Sequence, residues 1–133
     1  MKIFNNQILL ITGGTGSFGN AVLDKFLDSG IKEIRIFSRD EKKQDDMRRK
    51  YQTEKIKYFI GDIRSENSLD NAMINVDYVF HAAALKQVPS CEFFPSEAVL
   101  TNVNGSENVI KSCIKNNVKA FVGLSTEIGR AHV

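Results

Sequence analysis

The chain has 133 residues, which is enough for one domain and leaves little room for a second. Apolar residues make up 42% of it and charged residues 26%, as in an ordinary globular protein, and two prolines with nine glycines exclude low-complexity and disordered classes. Because 18 basic side chains nearly balance 16 acidic ones, the composition argues against a dedicated nucleic-acid binder, which needs a concentrated basic excess.

Apolar runs and helical patterns alternate along the chain. In chain order, the sequence predicts a strand at residues 8–11, a helix at 18–27 closed by Gly30 at C′, a strand at 34–37, a helix at 41–51, a strand at 56–60, a short helix around 69–73, a strand at 78–81, a helix at 96–116 and a strand at 120–124. Strict alternation implies parallel pairing with right-handed crossovers. We therefore expect a doubly wound parallel α/β sheet of order 3-2-1-4-5.

A glycine-rich loop, residues 12–19, lies between the first strand and the first helix. Gly14, Gly16 and Gly19 have the G-x-G-x-x-G spacing, and a T-G-x-x-G-x-x-G spacing starts at Thr12. Glycines there allow a tight turn, close approach of a pyrophosphate and packing of the helix on the strand, while the helix start offers free N–H groups to phosphates. The loop predicts a dinucleotide site; the alternative is a merely flexible turn.

The end of the second strand bears on which dinucleotide is bound. An acidic residue about 20 positions after the last glycine accepts from the ribose 2′-hydroxyl and favours NAD. That position holds Arg39, preceded by Ser38. A guanidinium suits a 2′-phosphate, so the sequence favours NADP as cofactor, although the neighbouring Asp40 could partly restore NAD use. The alternative is a surface arginine at a strand end.

Further candidates follow the third and fourth strands. Asp62 could accept from the adenine amine and Ile63 could cover the ring, the alternative being a solvated aspartate in a turn. Small residues, Ala82 to Ala84, let the backbone approach a dinucleotide. We expect His81 to be a packed residue at the strand end rather than an acid or a base.

These segments resemble the extended short-chain dehydrogenase/reductases, which have a Rossmann fold. The resemblance covers about residues 3–126 and rests on the glycine loop and on Gly61-Asp62-Ile63-Arg64, His81-Ala82-Ala83-Ala84 and Thr101-Asn102-Val103-Asn104-Gly105. Residues 37–44 (FSRDEKKQ) with 84–89 (ALKQVP) are similar, more narrowly, to inverting UDP-N-acetylglucosamine 4,6-dehydratases of capsular polysaccharide synthesis.

The resemblance implies a reaction and a set of site residues. In that family NADP takes a hydride from C4 of the nucleotide sugar, water leaves from C6, and the hydride returns to C6. It implies that Lys86 and Ser125 bind the substrate and that Thr126 is catalytic. The alternative for Lys86 is a simple surface loop, and the alternative for Ser125 and Thr126 is that their hydroxyls cap the end of the strand. The resemblance also implies a homo-oligomeric parent enzyme. The cofactor-binding residues are expected to be Gly13, Thr15, Gly16, Ser17, Phe18, Gly19, Ser38, Arg39, Asp40, Lys42, Asp62, Ile63, Ala82, Ala83, Ala84 and Asn102.

The resemblance to the dehydratase family ends after Thr126. The family continues with an Asp-Lys pair, which supplies acid and base, whereas this chain has Glu127-Ile128 and no later Tyr-x-x-x-Lys. Residues 127–133 equal the translation of a common sequencing-adapter stretch, so we expect them to be non-native. Residues 1–126 are then the incomplete, N-terminal NADP-binding portion of a longer enzyme, and this chain alone is expected to show no dehydratase turnover.

Two other functions stay open. A UDP-hexose 4-epimerase shares the glycine loop and the oxidation at C4, and a non-catalytic NADP-binding regulatory module would also lack the Tyr/Lys pair. Cys91 and Cys113 have neither metal-like nor disulfide-framework spacing, and the apolar run 8–11 is too short for a signal or a membrane span. We therefore expect a cytoplasmic protein without a metal site, a membrane span or a nucleic-acid partner.

Overall fold

The structure, a computed structural model, describes residues 5–82 and 107–123. Its elements in chain order are β1 (Ile8–Thr12), α1 (Ser17–Leu27), β2 (Glu33–Ser38), α2 (Glu41–Tyr51), β3 (Ile56–Ile60), α3 (Glu66–Met73), β4 (Tyr78–His81), the helix α4 over residues 107–115, and β5 (Ala120–Gly123). The beginning of the predicted helix 96–116 and the last residue of the predicted strand 120–124 lie outside the described residues.

The described strands form one parallel sheet of order β3-β2-β1-β4-β5, which confirms the predicted architecture. β1 lies at the centre, where Ile11 is paired with Ile36 of β2 on one side and with Phe80 of β4 on the other. All five residues of β1 are buried, as its uninterrupted apolar run predicted, because helices cover both faces of a parallel sheet.

The core has two layers, one on each face of the sheet. Alternate β1 side chains point to opposite faces, so Leu10 packs with α3 and α4 while Leu9 and Ile11 pack with α1 and α2. The first layer is completed by Phe37, Leu69, Met73 and Val109. The second is completed by Leu23, Ile36 and Met47. Both layers stop at the carboxyl ends of the strands, where the loops begin.

Two details of the predicted first helix are wrong. Gly30 does not occupy C′: α1 ends at Leu27 with Asp28 as its C-cap, and Ser29 closes the helix by donating to the Phe26 carbonyl from its backbone N–H (3.1 Å) and its hydroxyl (2.7 Å). Gly30 lies in the turn that follows, with φ of 85°. The repeat of Phe18, Val22 and Phe26 every four residues predicts that Phe18 lies on the apolar face of the helix, but Phe18 is 42% exposed in the first turn of α1, where its ring lies 5.6 Å from that of Phe80.

Candidate functional site

The glycine loop is held by close backbone packing. Gly13 has φ of 65°, a conformation that favours glycine, and its N–H donates to the Phe37 carbonyl at 2.8 Å. A Cβ on Gly19 would lie 2.6 Å from the Cα of Gly14, and a Cβ on Gly14 would lie 2.8 Å from Cγ2 of Ile36. These two positions therefore require glycine so that α1 can pack against the sheet.

Gly16 is different, because among the described residues the space beside it is open. Of these residues, a Cβ there would meet only the Gly13 oxygen, at 3.5 Å, which is an ordinary contact. Gly16 is the N-cap of α1, so no side chain caps the first turn, and that turn carries no acidic residue. The N–H groups of the first turn therefore have no side-chain partner, and together they form the positive end of the helix dipole, which faces this space.

A buried hydroxyl adds to the same place. Oγ1 of Thr15 is buried and finds no hydrogen-bond partner among the residues that the structure describes. An unpartnered buried polar group is costly, and an anionic ligand oxygen beside the loop would satisfy it. The open space at Gly16, the uncapped start of α1 and the Thr15 hydroxyl together fit a phosphate group.

A polar chain ties this loop to α2. Nδ2 of Asn20 donates to the carbonyls of Gly16 (2.9 Å) and Thr15 (3.3 Å). The Tyr51 hydroxyl lies 2.8 Å from Oδ1 of Asp24 and 3.2 Å from Oδ1 of Asn20. Burial, and next the hydrogen bond to Asp24, raise the pKa of Tyr51 to about 12, so its hydroxyl keeps its proton and remains a donor.

Replacing Tyr51 with phenylalanine removes this donor, and we expect the free energy of unfolding to fall by about 1 kcal/mol. Tyr58→Phe is the matched control, because the Tyr58 ring lies under Arg48 and its hydroxyl makes no hydrogen bond to any residue that the structure describes. It should change stability by less than about 0.5 kcal/mol. Urea unfolding of both variants measures the difference. If both variants lose the same free energy of unfolding, the Tyr51 hydroxyl does not stabilise the loop.

The carboxyl end of β2 presents an arginine to solvent. The Arg39 side chain is 68% exposed, and its Nη1 lies 3.7 Å from Oδ2 of Asp62, a long and weak ion pair. The neighbouring Asp40 is the N-cap of α2 and accepts from the Lys43 N–H at 3.0 Å. A carboxylate engaged in this cap is less available to a ribose hydroxyl than the sequence suggested. Lys42 is exposed and pairs with Asp46 at 3.6 Å.

Asp62 lies beside Arg39 but is engaged mainly by Arg64. Nη2 of Arg64 is 2.8 Å from Oδ2 of Asp62, and the Arg64 N–H donates to Oδ1 at 2.9 Å. The Arg64 side-chain bond is the largest cause that lowers the pKa of Asp62. Ile63 packs against the core layer of α3 and α4, and its carbonyl accepts from Asn108 at 3.2 Å. A contact of either residue with adenine stays a prediction.

His81 is a packed residue at the end of β4, as expected. It is 1% exposed, its Nδ1 lies 2.6 Å from Oγ1 of Thr12, and its ring lies 5.9 Å from that of Phe121. Burial lowers the pKa of His81 to about 4. The imidazole is therefore neutral at physiological pH and belongs to the core beneath the site.

The predicted cofactor residues within the described ranges follow or end neighbouring strands, at one edge of the sheet. They are Gly13, Thr15, Gly16, Ser17, Phe18 and Gly19 after β1, Ser38, Arg39, Asp40 and Lys42 at the end of β2, Asp62 and Ile63 after β3, and Ala82 after β4. The remaining predicted site residues lie outside the described residues: Ala83, Ala84, Lys86, Asn102, Ser125 and Thr126.

Sequence reasoning missed the polar side chains behind this edge, Asn20 and Gln44. Gln44 is fully buried, one turn of α2 before the buried Met47. A polar residue on the inward face of an otherwise amphipathic helix is the signal that could have found it.

Across residues 5–82 and 107–123, no three His, Cys, Asp or Glu side chains are grouped so that they could hold a metal ion. In the same ranges, no helix is both long and apolar enough to cross a membrane. Cys113 is a free, buried thiol whose pKa is raised to about 11 by burial, and Cys91 lies outside the described residues.

The strand order and the glycine loop define a Rossmann-type α/β domain. The sequence profile of the family described as "Polysaccharide biosynthesis protein" matches residues 9–129. The chain belongs to this polysaccharide biosynthesis protein family.

Similar proteins are longer than this chain. A protein of Rickettsia conorii named UDP-glucose 4-epimerase is 61% identical in an alignment 129 residues long, which covers 94% of this chain and 38% of that protein. The solved structure of Pen from Bacillus thuringiensis is 45% identical with a TM-score of 0.81 and matches 91% of this chain and 37% of that one. The chain thus spans about two fifths of the length of these relatives.

A more distant solved structure shares the fold alone. DesIV from Streptomyces venezuelae, a dTDP-glucose 4,6-dehydratase solved with NAD and TYD bound, is 22% identical with a TM-score of 0.70, covering 86% of this chain and 38% of that one. The name of the Rickettsia relative agrees with the alternative function of the sequence analysis, a 4-epimerase, better than with its main interpretation, a 4,6-dehydratase.

Proposed function

We propose that the chain is the cofactor-binding portion of a longer nucleotide-sugar enzyme that begins by oxidising C4 of a UDP-hexose. The observation that carries the proposal is the space at Gly16, which no other described residue fills and where an uncapped helix start lies beside the Thr15 hydroxyl, which has no partner in that part of the chain. Membership of the polysaccharide biosynthesis family and the similarity to a named UDP-glucose 4-epimerase support a nucleotide-sugar substrate.

The cofactor we propose is NADP. When bound, it supplies reversible hydride exchange with the sugar. The first-turn N–H groups of α1 and the Thr15 hydroxyl bind its pyrophosphate, and Arg39 binds the 2′-phosphate. Arg39 is exposed with one long ion pair, and Asp40 is engaged in the α2 cap, so this strand end suits an added phosphate better than a free ribose hydroxyl. DesIV was solved with NAD, which has no 2′-phosphate. The contact between Arg39 and a 2′-phosphate is therefore the more specific part of the proposal.

Arg39→Ala tests whether Arg39 binds the 2′-phosphate. We expect it to weaken NADPH binding about thirtyfold and to change NADH binding by less than about twofold, because only NADPH offers a phosphate to the guanidinium. The quenching or enhancement of nucleotide fluorescence on titration with the chain measures both dissociation constants.

Arg49→Ala is the matched control, because it removes the same charge from an exposed α2 arginine that pairs with Asp46 at 3.4 Å. It should leave both affinities within about twofold of the unsubstituted chain. If Arg39→Ala weakens the binding of NADPH and NADH equally, the assignment of NADP as the cofactor is wrong.

Two reactions remain candidates, and both start at C4. A 4-epimerase is favoured by the name of the Rickettsia relative. A UDP-N-acetylglucosamine 4,6-dehydratase is favoured by residues 37–44 and 84–89. The roles of Lys86 and Ser125 in substrate binding and of Thr126 in catalysis belong to either candidate and stay predictions.

Product analysis separates these candidates. The complete gene product is incubated with UDP-glucose and with UDP-N-acetylglucosamine, and the sugar is followed by NMR. Inversion at C4 identifies an epimerase, and a 4-keto-6-deoxy sugar identifies a dehydratase. No conversion of either substrate by a folded, cofactor-loaded protein would favour the non-catalytic NADP-binding module.

A further inference from the structure

A buried glutamine lies directly behind the proposed 2′-phosphate site. Gln44 is 0% exposed on the inward face of α2, and its side-chain amide reaches the ends of two strands. Nε2 lies 2.9 Å from the carbonyl oxygen of Phe59, 3.4 Å from the carbonyl oxygen of Ser38 and 3.0 Å from Oγ of Ser38. The proposed function assigns Gln44 no role.

These contacts fix the orientation of the amide. Both carbonyl oxygens can only accept, so the NH₂ group of Gln44, and not its oxygen, must face them. The Ser38 hydroxyl then accepts from the same NH₂ group and cannot give its own proton to Gln44. Among the described residues no hydrogen-bond acceptor meets this proton, and Ser38 is 5% exposed at the carboxyl end of β2.

The arrangement leaves one polar atom of Gln44 unsatisfied. Oε1 of Gln44 is buried without a hydrogen-bond partner in the part of the chain that the structure describes. An apolar side chain of similar length would fill the same space without that unsatisfied oxygen, but it would take a donor away from the carbonyl oxygens of Phe59 and Ser38. The NH₂ group therefore serves the two strand ends, and in the same arrangement it donates to the Ser38 hydroxyl at the site.

We infer that Gln44 is a positioning residue for the 2′-phosphate, because it occupies the acceptor side of the Ser38 hydroxyl and so reserves that proton for a phosphate oxygen. The inference rests on the proposed function in its NADP form. Ser38 directly precedes Arg39, so a neutral donor and a guanidinium are presented from consecutive residues of one strand end. Charge-assisted bonds of this kind are the strong ones in phosphate recognition.

A double-mutant cycle tests the inference in the full 133-residue chain. Gln44→Met keeps the volume and removes the donor, and Ser38→Ala removes the hydroxyl proton while Gln44 keeps its contact with the Phe59 carbonyl. We expect each change to weaken NADPH binding about tenfold with NADH affinity within about twofold, and the double variant to be no weaker than either single one. Met47→Leu, on the same buried face of α2, is the control and should leave the ratio of affinities unchanged.

The outcomes separate this inference from the proposed function. If the unsubstituted chain prefers NADPH but Gln44→Met lowers both affinities equally, Gln44 is only structural and the inference is wrong. The same holds if the two losses add in the double variant. If Gln44→Met fails to fold, Ser38→Ala alone decides: an unchanged NADPH preference overturns the inference. A chain with no preference for NADPH overturns the NADP proposal and this inference together.

Discussion

Replacing Gly19 with alanine is expected to lower the free energy of unfolding by about 3 kcal/mol and to abolish nucleotide binding. The added methyl group would lie 2.6 Å from Cα of Gly14, 2.7 Å from its oxygen and 2.8 Å from the oxygen of Gly13. All three are backbone atoms, so no side chain can rotate away, and α1 must move off the sheet. Urea unfolding and an NADPH titration measure the two effects.

Gly16→Ala is the matched control, because it adds the same methyl group to the same loop. The new Cβ meets only the Gly13 oxygen, at 3.5 Å, so the loss of stability should stay below about 1 kcal/mol. Binding should nevertheless fall at least about tenfold, because the methyl group occupies the space that a pyrophosphate needs. A Gly16→Ala variant that binds NADPH normally would show that phosphate does not approach the loop there.

The stability of the fold should fall as the pH is lowered from about 6.5 to about 4, by about 3 kcal/mol from His81 alone. Burial lowers the pKa of His81 to about 4, whereas an unfolded histidine titrates near 6.5. Between these values the unfolded chain binds the additional proton, so acid favours unfolding. Above pH 6.5 both states are neutral at this residue and its contribution no longer changes.

His81→Gln removes the titration while keeping a polar side chain beside Thr12. Its free energy of unfolding should be nearly independent of pH between 4.5 and 6.5, where the unsubstituted chain loses stability steeply. Hydrogen bonds lower the pKa values of Asp62 and Asp70, and these carboxyls act in the same direction mainly at lower pH. Parallel pH profiles for both proteins would contradict the assignment of the loss to His81.

The sheet could be predicted from the sequence because its signals are local. Ile8 to Ile11 form an uninterrupted apolar run, and such a run of this length fits a strand that is buried on both faces. The end of α1 could not be placed as well, since Gly30 carries the usual terminating residue type while Ser29 makes the bonds that close the helix.

In the candidate site, too, some residues could be recognised from the sequence and others could not. The loop glycines could be recognised because their spacing within residues 12–19 is itself a signal, and Arg39 because its distance from the loop is fixed by the βαβ unit. Gln44 and Asn20 could not be assigned roles, because their partners Phe59 and Tyr51 are 15 and 31 residues away and meet them only in the fold. Tertiary contacts of this kind leave no spacing signal.

The central claim is that the glycine loop and the end of β2 together form an NADP site. Calorimetric titration of the 133-residue chain with NADP⁺ and with NAD⁺ tests it most directly. One NADP⁺ bound per chain, with an affinity at least about tenfold higher than that for NAD⁺, is the predicted result. No heat of binding from either nucleotide, or NAD⁺ bound as tightly as NADP⁺, would contradict it.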